Sequence, residues 1–196
     1  MTKTVDKKKK RIGFDIDGVL LDHKKARTML ARKMGYLDVT EKMSAEEVRA
    51  LVSPKNHKKI QGLEYGKLTL KAPAMKGAKT VFQKAIKKFD VYVVSARHSG
   101  SNRAYALKML KKYFDIPKEK VHFVVHNFQK GYVAKRLGLK VFVDDNQRSF
   151  YMMPKNVKKI LFDEYQKKLV VRKKDGIISV NAHRELLKLL GMEIRR

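Results

Sequence analysis

Asp15 and Asp17 close an apolar run, in the stretch Arg11-Ile12-Gly13-Phe14-Asp15-Ile16-Asp17-Gly18-Val19-Leu20. Two carboxylates one residue apart, at the tip of a strand that is otherwise buried, raise each other's cost of ionisation unless a cation or a shared proton offsets it. A divalent metal would resolve that conflict and would also set up phosphate chemistry. Asp144 and Asp145 repeat the pattern after Lys140-Val141-Phe142-Val143. Mg²⁺ takes an octahedral set of oxygens and usually keeps several waters, so a few protein oxygens from these acids suffice. Asp15 is placed to attack phosphorus and carry an aspartyl-phosphate. Asp17, in a turn opened by Gly18, is placed to protonate a leaving alcohol and then to activate water. The plainer reading of each pair is a set of solvated turn acids.

Other polar residues follow apolar runs in the same way. Ser95 comes after Val91-Tyr92-Val93-Val94, and its hydroxyl, with backbone N–H groups such as that of Ala96, is suited to phosphate oxygens. A turn or helix-cap serine is the alternative. Arg97 and His98 come next and are candidates for touching substrate. Lys130 opens a helical stretch, where a cation opposes the helix dipole unless an anion sits beside it.

These residues need a scaffold that brings them to one place. After a basic leader (1–10), strands are expected at Arg11 to Asp15, Val91 to Val94, Val121 to Val125, Lys140 to Val143 and Lys159 to Phe162. Helices are expected at Asp22 to Met34, from an N-cap at Ser44 to a stop near Ser53-Pro54, at Asn56 to Tyr65, Lys76 to Lys88, Ser101 to Phe114 and Lys130 to Leu137. The Lys76 helix has Ala78, Val81, Phe82, Ala85 and Ile86 as its apolar face. Alternating strands and helices predict an α/β fold, a Rossmann-like parallel sheet with helices on both faces. In such sheets ligands bind beyond the carboxyl ends of the strands, so Asp15, Asp17, Ser95, His126, Asn127, Asp144 and Asp145 should meet on one edge. Leu169-Val170-Val171 and Ile177-Ile178 read as a hairpin around Asp175-Gly176. A last helix runs from a cap at Asn181 to Gly191.

Composition narrows the setting. With 196 residues and 43% hydrophobic content, the chain is long enough for a real core plus a small inserted lobe. It has no cysteine, which removes disulfides, thiolate metal sites and cysteine nucleophiles. No run approaches a transmembrane length, and the basic stretch Lys7 to Arg11 leads into two aspartates rather than a signal peptide, so a cytoplasmic protein is expected. Lys plus Arg number 47 against 19 Asp plus Glu, a formal charge of +28. Such a surface attracts polyanions, although an organism-wide basic bias would produce it too.

Phe14-Asp15-Ile16-Asp17-Gly18-Val19, Ser95, Lys130 and Val143-Asp144-Asp145 resemble, in order and spacing, the four motifs of the haloacid dehalogenase-like (HAD) superfamily of phosphohydrolases. The resemblance runs from about Arg11 to Phe162. It implies a HAD-like catalytic core (11–21 and 73–196) and a small helical cap inserted after the first strand (22–72). It also implies Asp15 as nucleophile, Asp17 as acid/base and Ser95 with Lys130 as phosphate ligands. Asp144, Asp15 and the Asp17 backbone carbonyl would hold Mg²⁺, with Asp145 as a second acidic position. Dehalogenases of the superfamily lack an acid at the Asp17 position, which favours a phosphatase.

Within the superfamily the chain looks most similar to the 5′-nucleotidase (deoxyribonucleotidase-like) branch, on Asp17-Gly18-Val19-Leu20, the short cap and Lys159-Ile160-Leu161-Phe162-Asp163. Ser95-Ala96-Arg97-His98-Ser99-Gly100 and the basic leader are also similar to polynucleotide 3′-phosphatase domains. The expected activity is Mg²⁺-dependent hydrolysis of a phosphomonoester, a nucleotide or similar small ester. A nucleic-acid end is the alternative substrate, and a nucleic-acid-binding protein with a vestigial HAD fold is the alternative of another class. Tyr36, Met43, His57 and Tyr65 are the large or polar residues of the cap, with core packing the expectation for each.

Overall fold

A computed structural model of the chain describes residues 9–98, 100–165 and 176–192. Six strands, β1 (Arg11–Phe14), β2 (Asp90–Ala96), β3 (Val121–Val124), β4 (Val141–Asp144), β5 (Lys158–Phe162) and β6 (Ile177–Val180), form one sheet. Their order is β3-β2-β1-β4-β5-β6, and every pairing is parallel. The chain steps outward from β1 in one direction, then returns to β1's other side and steps the opposite way. The crevice between β1 and β4 is therefore the topological switch point, where ligands of such sheets bind.

Strands of a parallel sheet are covered on both faces, which is why they read as continuous apolar runs rather than alternating ones. One face carries Ile12, Phe14, Val93, Val143 and Ile160 against helices α4 (Ala78–Lys88), α5 (Gly100–Phe114) and α7 (His183–Leu189). The opposite face carries Val94, Phe142, Leu161 and Ile177 against α6 (Lys130–Leu137) and the 3-10 turn Gln147–Phe150. The α/β sheet with a helix layer on each side matches the expectation. No helix among the described residues is long and apolar enough to cross a membrane.

Between β1 and α4 lie α1 (Lys24–Lys33), α2 (Ala45–Leu51), α3 (Pro54–Glu64) and a 3-10 turn, Lys67–Lys71. These pack around their own cluster of Leu30, Ala31, Val39, Val48, Val52 and Ile60. Ser44 opens α2 with a capping box: Glu47 N–H donates to the serine hydroxyl, and the Glu47 carboxylate accepts from Ser44 N–H at 2.8 Å. Pro54 does not merely end α2; it is the first residue of α3, with Ser53 as cap, a position where its missing N–H costs nothing. Where this insert leaves and rejoins the sheet, Asp22 N–H donates to the Pro73 carbonyl at 2.9 Å.

Several local expectations are corrected. Ile86 is 47% exposed, so α4 buries Ala78, Val81, Phe82 and Ala85 only. Ile177–Val180 pairs with β5 in parallel, as a sixth strand of the main sheet; the other arm of the expected hairpin lies outside the described residues. The cap of α7 is Ala182 and makes no side-chain bond, while Asn181 N–H donates to the Glu185 carboxylate.

Candidate active site

The register sets the site. Phe14 is level with Val93 on one side and Val143 on the other. Asp15 therefore emerges one step on, beside Asp144, and its N–H extends the ladder to the Val143 carbonyl at 2.9 Å. Beyond it the loop Ile16–Leu21 is pulled back under the sheet edge, with Leu20 and Leu21 N–H both donating to the Ile16 carbonyl at 2.8 Å. Gly18 takes the left-handed conformation at φ +75°, and a Cβ there would meet an Asp145 carboxylate oxygen at 2.1 Å. Only glycine lets the Asp17 turn and the Asp145 side chain approach so closely.

Asp15, Asp144 and Asp145 each offer a carboxylate oxygen, and these oxygens lie within 4.8 Å of one another. Lys130, at the first position of α6 and 1% exposed, reaches into the group, 2.7 Å from Asp144 Oδ2 and 3.1 Å from Asp15 Oδ1. Burial would lower the Lys130 pKa, but the Asp144 and Asp15 charges overcome it and hold the ammonium above the ordinary lysine value. The same carboxylates answer the dipole conflict that a cation in the first turn creates. Burial, followed by the charges of Asp144 and Asp17, pushes Asp15 up to about 7, against Lys130 and a hydrogen bond from the Ser95 hydroxyl. Asp145 is raised well above the usual carboxylate range by burial and by Asp144 and Asp15. Asp144 is fully tied: Oδ2 to Lys130, and Oδ1 to the Asn146 N–H at 2.9 Å.

Asp17 belongs to a different arrangement. Its Oδ1 lies 2.5 Å from Arg97 Nη2 and 2.8 Å from His23 Nε2. Burial would raise its pKa, yet the Arg97 and His23 contacts outweigh burial and hold the carboxyl well below its usual range. Arg97, named above as a candidate for touching substrate, is 1% exposed. Its Nη1 donates to the Tyr65 carbonyl at 2.8 Å and to Thr69 Oγ1 at 3.1 Å. It thus fastens Asp17 to the end of the helical insert. His98 is exposed and lines the cavity above the carboxylates, as do Ala96, His126 and Asn127.

That cavity has a volume of about 620 Å³ and is closed on the far side by α2 and α3. Of the residues singled out in the insert, Tyr36 and Met43 pack on its internal cluster. His57 and Tyr65 instead line the cavity. Nothing in the local sequence separates the two outcomes; the difference lies in which face of α3 the insert turns toward the sheet. Sequence reasoning also missed His23, whose side chain is fully buried against Asp17. Its position just before α1 carries no chemical signature.

No protein-family model matches the chain, and no curated protein is similar to it in sequence. Solved structures are similar in fold. A haloacid dehalogenase-like hydrolase from Streptococcus pneumoniae matches with a TM-score of 0.63 at 12% identity, over 92% of this chain and 98% of its own. A haloacid dehalogenase-like protein of unknown function from Agrobacterium tumefaciens matches with a TM-score of 0.62 at 16% identity, over 92% and 97%. A HAD hydrolase from Bacillus subtilis, solved with magnesium bound, matches with a TM-score of 0.60 at 13% identity, over 94% and 100%. The chain therefore has the α/β architecture of the HAD-like fold across most of its length.

Proposed function

We propose that this chain is a Mg²⁺-dependent phosphomonoesterase that works through an aspartyl-phosphate on Asp15, on a nucleotide or similar small phosphate ester. The observation that carries the reading is the convergence of Asp15, Asp144, Asp145 and Lys130 at the switch point of the sheet. The residues fit a hard divalent cation. The three aspartates offer carboxylate oxygens, and buried Asp15 Oδ1 accepts no well-aligned hydrogen bond, although the Lys130 ammonium lies 3.1 Å away. Asp15, Asp144 or Asp145, and the Asp17 carbonyl would hold Mg²⁺. When bound, the ion would polarise the phosphoryl oxygens and offset the crowded carboxylates.

The chain's own residues supply the rest. Lys130, the Ser95 hydroxyl and the Ala96 N–H hold the phosphate oxygens. An Asp15 oxygen attacks phosphorus, the ester P–O bond breaks, and the leaving oxygen takes a proton from the Asp17 carboxyl and departs as the alcohol. Water then attacks the same phosphorus, Asp17 takes its proton, and the bond to Asp15 breaks to restore the free carboxylate. Asp17, held ionised by Arg97, is ready for that second step. To act as the acid of the first step it must collect a proton against Arg97. Turnover should therefore be best for esters whose leaving group needs least protonation.

The helical insert would serve as the cap that selects the leaving group. His126, which lines the cavity, is stacked on Phe128 with ring centroids 5.6 Å apart and planes within 10°, and a braced aromatic surface of this kind supports a nucleotide, whose base can lie against it. The residues Asp17-Gly18-Val19-Leu20, the short insert and Lys159-Ile160-Leu161-Phe162-Asp163 are what favour the 5′-nucleotidase branch. Purified protein with Mg²⁺ should release phosphate from p-nitrophenyl phosphate. Chelator should abolish release, and Asp15→Asn should lower it by roughly 10³-fold or more. Full activity of Asp15→Asn would overturn the mechanism.

A further inference from the structure

The cavity has a second charged wall above the carboxylates. Helix α3 turns His57, Lys58 and Gln61 into it, spaced so as to share one face of a helix, with Tyr65 following at the helix end, and α2 adds Arg49. Other cations that line the cavity have acids beside them. Lys130 is held by Asp15 and Asp144, and Arg97 by Asp17. Arg27 forms a 2.7 Å pair with buried Glu64, and Arg148 lies 3.8 Å from Glu46. Arg49 and Lys58 are exposed to the cavity and make no ion pair among the described residues. Burial and then the Arg49 charge lower the pKa of His57, against the charges of Glu64 and Glu46, so Arg49 stands close enough to be felt at that imidazole. The apolar side chains of the lining are Ala45, Ala96 and Val125, with the ring of Tyr65 beside them. An anion entering the cavity finds two cations there that no acid among the described residues pairs.

Resting on the phosphatase reading, we propose that Arg49 and Lys58 form a second anion subsite, so that the substrate is a phosphomonoester carrying a further phosphate. Two sources share that chemistry. One is a small bisphosphate; the other is a terminal nucleotide of a nucleic-acid strand, whose next phosphodiester takes the subsite.

The test compares the wild type with the Arg49→Met/Lys58→Met double variant. Both positions are exposed, where substitutions ordinarily shift stability by only about 0.5 kcal/mol. The substrates are adenosine 5′-monophosphate, adenosine 3′,5′-bisphosphate, thymidine 5′-monophosphate and a 5′-phosphorylated oligothymidylate. In the wild type, kcat/KM for the substrate bearing a second phosphate group should exceed that of its monophosphate by about tenfold or more, the equivalent of one good charge contact. In the double variant that ratio should fall toward one. Which pair shows the preference identifies the source.

A wild-type ratio near one for both pairs, or a ratio that survives in the double variant, overturns the subsite. Hydrolysis of p-nitrophenyl phosphate separates the two readings, because its absence is a failure of the phosphatase reading alone. In that case calorimetric binding of adenosine 3′,5′-bisphosphate to wild type and double variant makes the same comparison. Equal affinities would reject the subsite, and a roughly tenfold loss would support it.

Discussion

In the proposed mechanism Asp17 is the residue on which the chemistry turns, because its environment favours one proton transfer over the other. A carboxylate gripped by a buried guanidinium and an imidazole is stable as the anion, and it accepts a proton more readily than it yields one. Arg97→Met should remove that grip. The variant leaves Asp17 buried with only His23 beside it, so unfolding free energy should drop by about 3–5 kcal/mol, measured in urea. The sign of the pH effect follows from the same contact. Arg97 depresses the Asp17 pKa, so the wild type keeps Asp17 ionised far into acid and loses that contribution only as pH falls through the depressed value. Without Arg97 the pKa rises, and the acid limb of the kcat profile, which includes the water-activating step, should move to higher pH. An unmoved limb would mean that Asp17 does not set it.

At the scale of elements, the site depends on how closely α6 meets the loop after β4. Gly131 lies against that loop so tightly that a Cβ would sit 2.2 Å from the Met152 carbonyl oxygen, which is backbone and cannot swing aside. Gly131→Ala should push the start of α6 outward and carry Lys130 with it. A cost of about 1–3 kcal/mol is expected from the overpacking. KM for p-nitrophenyl phosphate should rise along with it. A variant as stable and as active as wild type would show that the contact relaxes freely.

The elements that build this corner were legible because parallel strands buried on both faces announce themselves as unbroken apolar runs, and the polar residue ending each run is easily seen. Lys130 could be singled out among many lysines by its place at a helix start. Arg97 could not be assigned, since a buried arginine and an exposed one look alike in sequence. For the same reason Ile86 was placed on a core face that α4 turns to solvent. The parallel pairing of Ile177–Val180 with β5 is a long-range outcome, to which a local Asp-Gly turn signal is blind.

For the whole molecule, a formal charge of +28 on 196 residues is a large excess of positive charge for one chain to hold together. Self-repulsion of that kind opposes the compact state and is relieved by salt, whose screening length is about 10 Å at 0.1 M. The thermal midpoint should therefore rise between roughly 20 mM and 300 mM NaCl, while activity on an anionic substrate should fall as its attraction to the surface is screened. A midpoint that is flat or falling with salt would mean that local ion pairs outweigh the net repulsion.

The central claim is that Asp15 forms a covalent bond to phosphorus. Its most direct test is acid quenching of the enzyme during turnover of a phosphorus-labelled aryl phosphate with Mg²⁺, followed by peptide mapping. The label should appear on the peptide carrying Asp15, be released by hydroxylamine as an acyl-phosphate is, and be missing from Asp15→Asn. Label on another residue, or sustained turnover by Asp15→Asn, would contradict the account.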